Sequence, residues 1–259
     1  MNGRVAIVTG GTGAIGRALA SGLADAGARV VVVARRADRV EQTAREIGRG
    51  AIGVSADVLD EQSLVAARDT VFGQCGSIDV LVNCAGGNVA SATLPEDESP
   101  FALSANAYRD VMELNFTGTV LATRVFGGAM GAGGSIVNVS SMAAGHALTR
   151  VGGYGAAKAA VESITRWWAV ELGRRGTGIR VNAIAPGFVL GEQNRALLVG
   201  DDGTPTERGA RIVARTPLGR IGEPDDLVST VVWLCSDGAR FVTGVVVPVD
   251  GGFSAFAGV

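Results

Sequence analysis

The first 34 residues combine features that few folds accommodate. A short apolar run, Arg4–Thr9, leads directly into the glycine-rich turn Gly10-Gly11-Thr12-Gly13-Ala14-Ile15-Gly16. Apolar residues then recur at helical spacing from Ala18 to Ala26, Gly27 closes the helix, and a second β-branched run covers Val30–Ala34. In such a βαβ unit the glycines let a pyrophosphate approach the backbone at the N-terminus of the helix. The pattern predicts dinucleotide binding.

Two arginines follow the second predicted strand. In NAD-selective folds an acidic residue stands there, about 20 positions after the glycine turn, and accepts the ribose 2′-hydroxyl, whereas an arginine accommodates the 2′-phosphate of NADP. Arg35 and Arg36 occupy this point, so the sequence favours NADP over NAD. Two alternatives stay open: Arg35 covers only the adenine face, and Asp38 reaches the ribose.

Strand and helix patterns alternate along the rest of the chain. Helical periodicity covers residues 37–48, 61–73, 108–126, 154–173 and 224–236, and strand patterns cover residues 51–54, 78–82, 135–140, 180–185 and 242–249. Residues 87–106 are typical of a long surface loop, and residues 190–216 of a lid or substrate loop without clear periodicity. The pattern predicts an α/β fold over residues 1–259: one Rossmann-type domain, a doubly wound parallel sheet with helices on both faces.

Composition narrows the choice of partners. The formal net charge is −2, so nucleic acid is not expected to bind, and no apolar run approaches the roughly 18 residues of a membrane span. The first strand begins by Arg4, which leaves no room for a signal peptide. Cys75, Cys84 and Cys235 lack metal-ligand spacing, and their odd number argues against a disulfide framework. We expect a cytoplasmic protein with a small-molecule substrate and no metal.

A tyrosine and a lysine stand four residues apart at Tyr154 and Lys158, a spacing that puts both side chains on one face of a helix. A neighbouring ammonium lowers the pKa of a phenol from about 10 toward the range useful for general acid–base catalysis. Ser141 ends an apolar run upstream, where its hydroxyl can polarise a carbonyl group. The Tyr/Lys pair alone is also typical of a solvated helix face, so the catalytic interpretation depends on the rest of the chain.

One polar residue interrupts a long predicted helix. Asn115 lies in the middle of residues 108–126, where asparagine is unfavourable by helix propensity. It is therefore either a hydrogen-bonded polar group in the core or a functional residue.

These motifs together resemble the short-chain dehydrogenases/reductases over essentially the whole chain. The family pattern TGxxxGxG is matched by Thr9–Gly16, and the family tetrad by Asn115, Ser141, Tyr154 and Lys158. The further matches are Asp57-Val58 for the pair that contacts adenine, Asn83-Cys84-Ala85-Gly86 for NNAG, and Pro186-Gly187 before the segment that faces the nicotinamide.

The resemblance implies an oxidoreductase that moves hydride between NAD(P) and a carbonyl or secondary alcohol. It implies that Tyr154 transfers the proton, Ser141 orients the substrate oxygen, Lys158 lowers the phenol pKa and holds the nicotinamide ribose, and Asn115 anchors a water. Ser140 is the rival for the hydroxyl role. The implied cofactor contacts are Gly10, Thr12, Gly13, Ala14, Ile15, Gly16, Arg35, Arg36, Asp57, Val58, Asn83, Ala85, Gly86, Tyr154, Lys158, Pro186, Gly187 and Val189.

Two positions depart from the family pattern. Ala14 stands where the second fingerprint glycine usually occurs, and its small methyl group is expected to be tolerated. Cys84 replaces the second asparagine of NNAG, so we expect altered local hydrogen bonding around a small buried side chain.

The segment after Pro186 and the C-terminus resemble D-mannonate oxidoreductases and fructuronate reductases, and more loosely gluconate and sugar-alcohol dehydrogenases. A keto sugar acid or a polyol is therefore the expected substrate; a 3-oxoacyl thioester or another ketone, and a non-catalytic nucleotide-binding role, are the alternatives. The candidate substrate contacts are Ser141, His146, Tyr154, Gln193, Asn194 and Arg195, of which Arg195 is the bidentate choice for a carboxylate. Arg195 on a solvated loop and His146 in a packing role remain alternatives.

Two adjacent tryptophans lie on the predicted catalytic helix. Trp167 and Trp168 are expected to serve as core and oligomer contacts, since the resemblance implies pairing through this helix and the one before it. The expected assembly is a homotetramer, with a homodimer as the second choice.

Overall fold

Seven parallel strands form one sheet at the centre of the protein. The computed structural model describes residues 1–192 and 194–258. The sheet order is β3-β2-β1-β4-β5-β6-β7, which confirms the predicted doubly wound α/β fold. The strands are Val5–Thr9 (β1), Arg29–Ala34 (β2), Ile52–Ser55 (β3), Val80–Asn83 (β4), Ser135–Val139 (β5), Arg180–Pro186 (β6) and Val246–Val249 (β7).

Helices connect the strands and cover both faces of the sheet. They are Ala14–Asp25 (α1), Ala37–Ile47 (α2), Glu61–Cys75 (α3), Ala105–Met112 (α4), Gly118–Ala122 (α5), Gly152–Arg174 (α6), Arg195–Leu198 (α7), Glu207–Arg215 (α8) and Val228–Cys235 (α9). Two π-helical segments, Glu113–Thr117 and Thr123–Gly127, flank α5, so that residues 105–127 follow one another in helical conformation. Short 3-10 turns occur at Ala90–Ala92, Pro100–Ala102, Met142–Ala144, Pro224–Leu227 and Asp237–Ala239.

The core has two layers, one on each face of the sheet. Side chains alternate along β1, so Ala6 and Val8 join α1 and α9 in one layer, whereas Val5 and Ile7 join α3 and α6 in the other. Since both faces are buried, the strands are nearly continuous runs of β-branched residues. These runs of β-branched residues are the signal from which the sequence predicts the strands.

The carboxyl ends of the strands meet at one edge of the sheet, and the strand order reverses between β1 and β4. Crevices at such reversals are where doubly wound folds bind ligands. Here Thr9 links the two strands, because its hydroxyl oxygen accepts hydrogen bonds from the N–H groups of Cys84 and Ala85, each at 3.2 Å. The glycine turn after β1 and the loop after β4 therefore form one wall.

Three segments differ from the predicted pattern. Residues 190–216 contain α7 and the strongly amphipathic α8, whose few buried positions were too short a signal to show helical periodicity. The helix predicted at 108–126 begins three residues earlier, at Ala105. The paired part of the last strand is only Val246–Val249, because Gly244 takes a φ of +78° and breaks the extended run.

Candidate active site

The glycines of the first turn have different packing demands. Gly10 has a φ of +64°, and a Cβ there would lie 2.7 Å from the Ala85 backbone, while a Cβ on Gly16 would overlap the Gly10 carbonyl oxygen. At Gly13 a Cβ would meet only that carbonyl oxygen, at 3.5 Å. Gly10 and Gly16 thus serve the packing of the turn, whereas a Cβ on Gly13 would make one ordinary van der Waals contact.

The N-terminus of α1 keeps its hydrogen-bond donors free. Gly13 is the N-cap, and in the described chain no side chain caps this helix and its first turn has no acidic residue. Free N–H groups, a positive dipole end and an open glycine together suit a pyrophosphate. The residues present therefore fit a dinucleotide, with Thr12, Ala14 and Ile15 at the same turn.

The predicted adenosine contacts lie along the same edge of the sheet. Arg35 follows β2 with its side chain exposed, and its backbone carbonyl accepts a hydrogen bond from Ser55 at 2.8 Å. Arg36 lies 3.5 Å from Asp38, which makes Asp38 a partner of arginine.

Asp57 accepts a hydrogen bond from the Leu59 N–H at 3.0 Å. The buried Val58 packs against Gly118, where a Cβ would lie 2.9 Å from its methyl group.

Glycines on both sides of Tyr154 let α6 come close to its neighbours. A Cβ on Gly153 would lie 2.8 Å from a Val111 methyl group, and one on Gly155 would lie 2.8 Å from the Ala143 carbonyl oxygen. This close approach brings the first turn of α6 against the turn that begins after Ser141. The motif Gly153-Tyr154-Gly155 is therefore a packing requirement as well as a catalytic candidate.

Ser141, Tyr154 and Lys158 lie together at the carboxyl edge of β5. Ser141 caps the turn Met142–Ala144, its hydroxyl oxygen accepting from the Ala143 N–H at 3.2 Å. Lys158 Nζ lies 5.6 Å from the centre of the Tyr154 ring and donates to the Val139 carbonyl at 2.8 Å.

Ser140, the rival for the hydroxyl role, is turned away from this group. Its Oγ lies 3.3 Å from the Lys158 carbonyl oxygen and 3.1 Å from Glu162 Oε1, both on α6. The geometry thus favours Ser141.

Asn115 links the helical segment 105–127 to the loop after β4. Its side-chain nitrogen donates to the carbonyl groups of Gly87 and Val111, each at 2.8 Å, and its Oδ1 accepts from the Gly87 N–H at 2.9 Å. A Cβ on Gly86 would lie 2.7 Å from that Oδ1 and 3.2 Å from Lys158 Nζ. Asn115 is a hydrogen-bonded core residue placed beside the lysine; its role in holding a water stays a prediction.

Burial dominates the protonation equilibria of this site. It lowers the pKa of Lys158 from 10.5 to about 8, against a smaller opposite influence of Cys84. It also raises the pKa of Tyr154, although the Ser141 hydroxyl lowers that pKa in part. Desolvation of the phenolate outweighs the other influences in this arrangement, and the lowering of the tyrosine pKa by the lysine stays a prediction.

The stability of the protein should depend on the protonation of Lys158. Above pH 8 the folded protein loses this proton while the unfolded chain keeps it until about pH 10.5, so stability should rise with pH. Between pH 7 and pH 9 the wild type should gain about 1 kcal/mol of unfolding free energy relative to Lys158→Met. Urea denaturation of both proteins at the two pH values measures this. A constant difference between them would contradict the low pKa of Lys158.

Lys158 is also the only lysine in the sequence. The other 22 cationic side chains are arginines. A buried lysine shifts its pKa readily, whereas arginine stays protonated, so arginine would be a poor substitute at a site that needs a tunable cation. Sequence reasoning missed this signal, although it was visible in the residue counts.

The Asn83-Cys84 pair lies beneath the site. The Asn83 side chain is buried and donates to Thr123 Oγ1 at 2.9 Å and to Asn138 Oδ1 at 2.8 Å, and its cofactor contact stays a prediction. These bonds tie β4 to β5 and to the π-helical segment after α5. Cys84 is half-buried and its pKa is raised to about 11, chiefly by burial, so it is a neutral thiol near neutral pH.

The segment after β6 approaches the site from the other side. The Gly187 N–H donates to the Val249 carbonyl at 3.1 Å, and a Cβ there would lie 2.7 Å from the Asp250 Cα. Pro186 ends β6, and Val189 is buried. Its carbonyl oxygen accepts from the Asn194 side chain at 2.8 Å.

The predicted substrate contacts have different outcomes. Asn194 also accepts from the Gly191 N–H at 2.8 Å, so both ends of its amide hold the loop, and its predicted substrate contact stays a prediction. Arg195 begins the four-residue α7 with its side chain exposed. His146 is exposed, with its ring edge-on to Phe253 at 6.5 Å. Gln193 lies outside the described residues.

Residues 1–192 and 194–258 contain no group of three or more histidine, cysteine, aspartate or glutamate residues placed to hold a metal ion. Within the same ranges, no helix has both the length and the apolar character needed to cross a membrane.

Comparison with known proteins agrees with the fold. A family model described as enoyl-(acyl carrier protein) reductase matches residues 11–254. The uncharacterized oxidoreductase UxuB of Bacillus subtilis (strain 168) is 43% identical over 271 residues, covering 99% of this chain and 97% of the relative.

Two solved structures have the same fold. A candidate D-mannonate oxidoreductase from Haemophilus influenza with bound NAD has a TM-score of 0.91 and 36% identity, over 100% of this chain and 98% of its own. A candidate NAD(P)-dependent gluconate 5-dehydrogenase from Beutenbergia cavernae with bound NADP has a TM-score of 0.86 and 38% identity, over 99% and 98%. Sequence, fold and site agree: the chain belongs to the short-chain dehydrogenase/reductase family.

Proposed function

We propose that this protein is an NAD(P)-dependent oxidoreductase that interconverts a secondary alcohol and a ketone on a keto sugar acid or polyol of the fructuronate/mannonate kind. The proposal rests on one observation: Ser141, Tyr154 and Lys158 lie together beside the glycine turn that fits a dinucleotide. Family membership supports the reaction type, and the relatives named for mannonate and gluconate support the substrate class. The bound nicotinamide would supply the hydride carrier.

The chain's own residues would handle the proton. Tyr154 would give its phenol proton to the carbonyl oxygen in reduction and take it back in oxidation, while Ser141 donates a hydrogen bond that orients that oxygen. Lys158 would lower the phenol pKa when it turns from the Val139 carbonyl toward Tyr154 and the ribose. Asn115 would support this movement, since it holds the loop against which the lysine lies.

The substrate assay tests the proposal directly. Purified protein with NADPH or NADH should reduce D-fructuronate faster than an acetoacetyl thioester. The thioester alternative requires a basic entrance for an acidic carrier, yet Arg175 and Arg211 pair with Glu171 and Glu207 on their own helices. Turnover of the thioester alone would replace the proposed substrate class, and turnover of neither would leave only the fold.

The cofactor preference is expected to follow Arg35. We propose NADP as the favoured cofactor and NAD as the alternative, because Arg35 is exposed at the end of β2 and Asp38 has an arginine partner. Arg35→Asp should weaken NADPH binding at least tenfold, because an acid repels the 2′-phosphate, and should leave NADH binding equal or tighter. Fluorescence titration of both cofactors measures this. Equal loss for the two cofactors would contradict a 2′-phosphate contact.

We also propose that the protein forms a homotetramer, with a homodimer as the alternative. Trp167 is 52% exposed on α6 beside a shallow apolar depression that Phe116 and Ile164 also line. Trp233, Phe241 and Val245 are further exposed apolar residues in the C-terminal part of the chain. Light scattering should give the mass of four chains of 26.2 kDa each; the mass of one chain would contradict the proposal.

Residues 190–216 are proposed to act as a lid. The α7–α8 pair forms a compact unit, since Thr206 donates to the Leu197 carbonyl at 2.8 Å and a Cβ on Gly209 would overlap the Leu198 carbonyl. Asn194 anchors the start of this segment to Val189. Such a unit can move as one body over the site.

A further inference from the structure

The loop between the Ser141 turn and α6 contains a residue in a rare backbone conformation. Arg150 has a φ of +72°, in the left-handed region that glycine occupies without steric cost. Among the described residues, the other non-glycine residue with positive φ is Arg49, which lies in the turn before β3, at the opposite edge of the sheet. A non-glycine residue in a strained conformation, four residues before the candidate catalytic tyrosine, suggests a function for its side chain.

Arg150 is held in place by hydrogen bonds in both directions. The Leu94 N–H donates to the Arg150 carbonyl at 2.8 Å, and the Arg150 Nε–H donates to the Leu94 carbonyl at 2.7 Å. The same loop wall supports Tyr154, which packs against a cluster that contains Ala92. Arg150 and Tyr154, four residues apart along the chain, therefore both contact the segment 89–94.

The outer edge of this guanidinium has no carboxylate partner. Within residues 1–192 and 194–258, Arg150 forms no ion pair, whereas Arg211 and Arg220 pair with Glu207 and Asp226. With Nε on Leu94, the two terminal nitrogens remain to bind an anion in the paired geometry that suits a carboxylate. The side chain is exposed and anchored at its base, so binding would require little further ordering.

We propose that Arg150 binds the carboxylate of the substrate, and so makes the enzyme selective for keto sugar acids over uncharged keto sugars. This inference rests on the proposed function and deepens it. It moves to Arg150 the role that the sequence suggested for Arg195. Arg195 begins a four-residue helix on the proposed lid, whereas two hydrogen bonds anchor Arg150 to Leu94, in the segment that also contacts Tyr154.

The test compares two substrates that differ only in charge at one end. D-Fructuronate carries a carboxylate where D-fructose carries a hydroxymethyl group, and both present the same ketone. Arg150→Gln should raise the KM for fructuronate at least tenfold with little change in kcat, because a contact equal in ground and transition state affects KM alone. The KM for fructose should stay within about twofold of the wild type. Arg195→Gln is the rival variant, and Arg174→Gln, at the distant end of α6, is the matched control.

Each outcome separates this inference from the proposed function. If the wild type reduces fructuronate but Arg150→Gln raises KM equally for both sugars, Arg150 only holds the loop and the inference fails alone. If Arg195→Gln produces the selective loss instead, the inference also fails alone. If the wild type turns over fructose but not fructuronate, the inference fails, while the polyol part of the proposed function stands; if it turns over neither, the proposed substrate class fails as well.

A binding measurement provides a readout that does not depend on turnover. Calorimetry of the cofactor-saturated protein should show D-mannonate binding at least tenfold weaker to Arg150→Gln than to the wild type, with Arg174→Gln unchanged. Equal affinity of Arg150→Gln and the wild type, or no binding to the wild type, would overturn the inference.

Discussion

Replacing Tyr154 with phenylalanine should lower kcat by about three orders of magnitude, within the range that general acid–base catalysis contributes. The ring and its packing against the loop wall would remain, since only the hydroxyl is removed. Ser141 and Lys158 would still be present, but neither would give the substrate oxygen a proton with the geometry of the phenol. The loss of NADPH absorbance with a keto sugar acid measures kcat, and fluorescence titration should give an unchanged cofactor Kd.

The second tyrosine of the chain is the matched control. Tyr108 lies on α4, is 42% exposed and contacts Gly153 with its ring. Tyr108→Phe removes the same hydroxyl outside the site and should leave kcat within about twofold, as expected for surface changes away from the chemistry. Near wild-type turnover by Tyr154→Phe would refute the proposed proton transfer, whatever the substrate.

The second large effect should come from Gly16→Ala. The new Cβ would overlap the Gly10 carbonyl oxygen, and this neighbour is backbone that cannot rotate away. We expect a loss of roughly 1–3 kcal/mol of unfolding free energy, as for other overpacked positions, together with loss of cofactor binding. Urea denaturation and NADPH titration measure the two effects.

Gly13→Ala should separate binding from stability within the same turn. Its Cβ would meet only the Gly10 carbonyl oxygen, at 3.5 Å, so unfolding free energy should change by less than about 1 kcal/mol. The methyl group would stand where the pyrophosphate approaches α1, so cofactor affinity should fall at least tenfold. Equal stability of Gly16→Ala and wild type, or unchanged cofactor affinity of Gly13→Ala, would contradict this division of roles.

The strand and helix pattern was predictable because each element has a strong local signal. Runs such as Val30–Ala34 are rich in β-branched residues because both faces of the sheet are buried. In the amphipathic helices the apolar residues recur at the helical period. Where the signal was short, prediction failed. The nine-residue α8 has only Gly209 and Ile212 buried, and no periodicity was recognised there.

The sequence predicted which residues form the candidate site better than it predicted the role of each residue. The spacing along the sequence identified Ser141, Tyr154 and Lys158 as candidates. It could not predict that the Ser140 hydroxyl points toward α6. Asn194 looked like a substrate contact because it is polar and lies after Pro186. In the structure its amide forms hydrogen bonds with Gly191 and Val189 of its own loop, and no local sequence pattern predicts these two bonds.

By itself the sequence determined the fold class, the dinucleotide turn and the family, because those depend on periodicity and on glycine positions that local sterics demand. The tertiary structure alone decided which polar groups face the cleft and which form hydrogen bonds inside the protein. It buried Lys158 deeply enough to lower its pKa, directed the Asn83 amide into the core, and anchored Arg150 to Leu94. Burial and long-range hydrogen bonds join residues far apart in the chain, so only the folded arrangement assigns them.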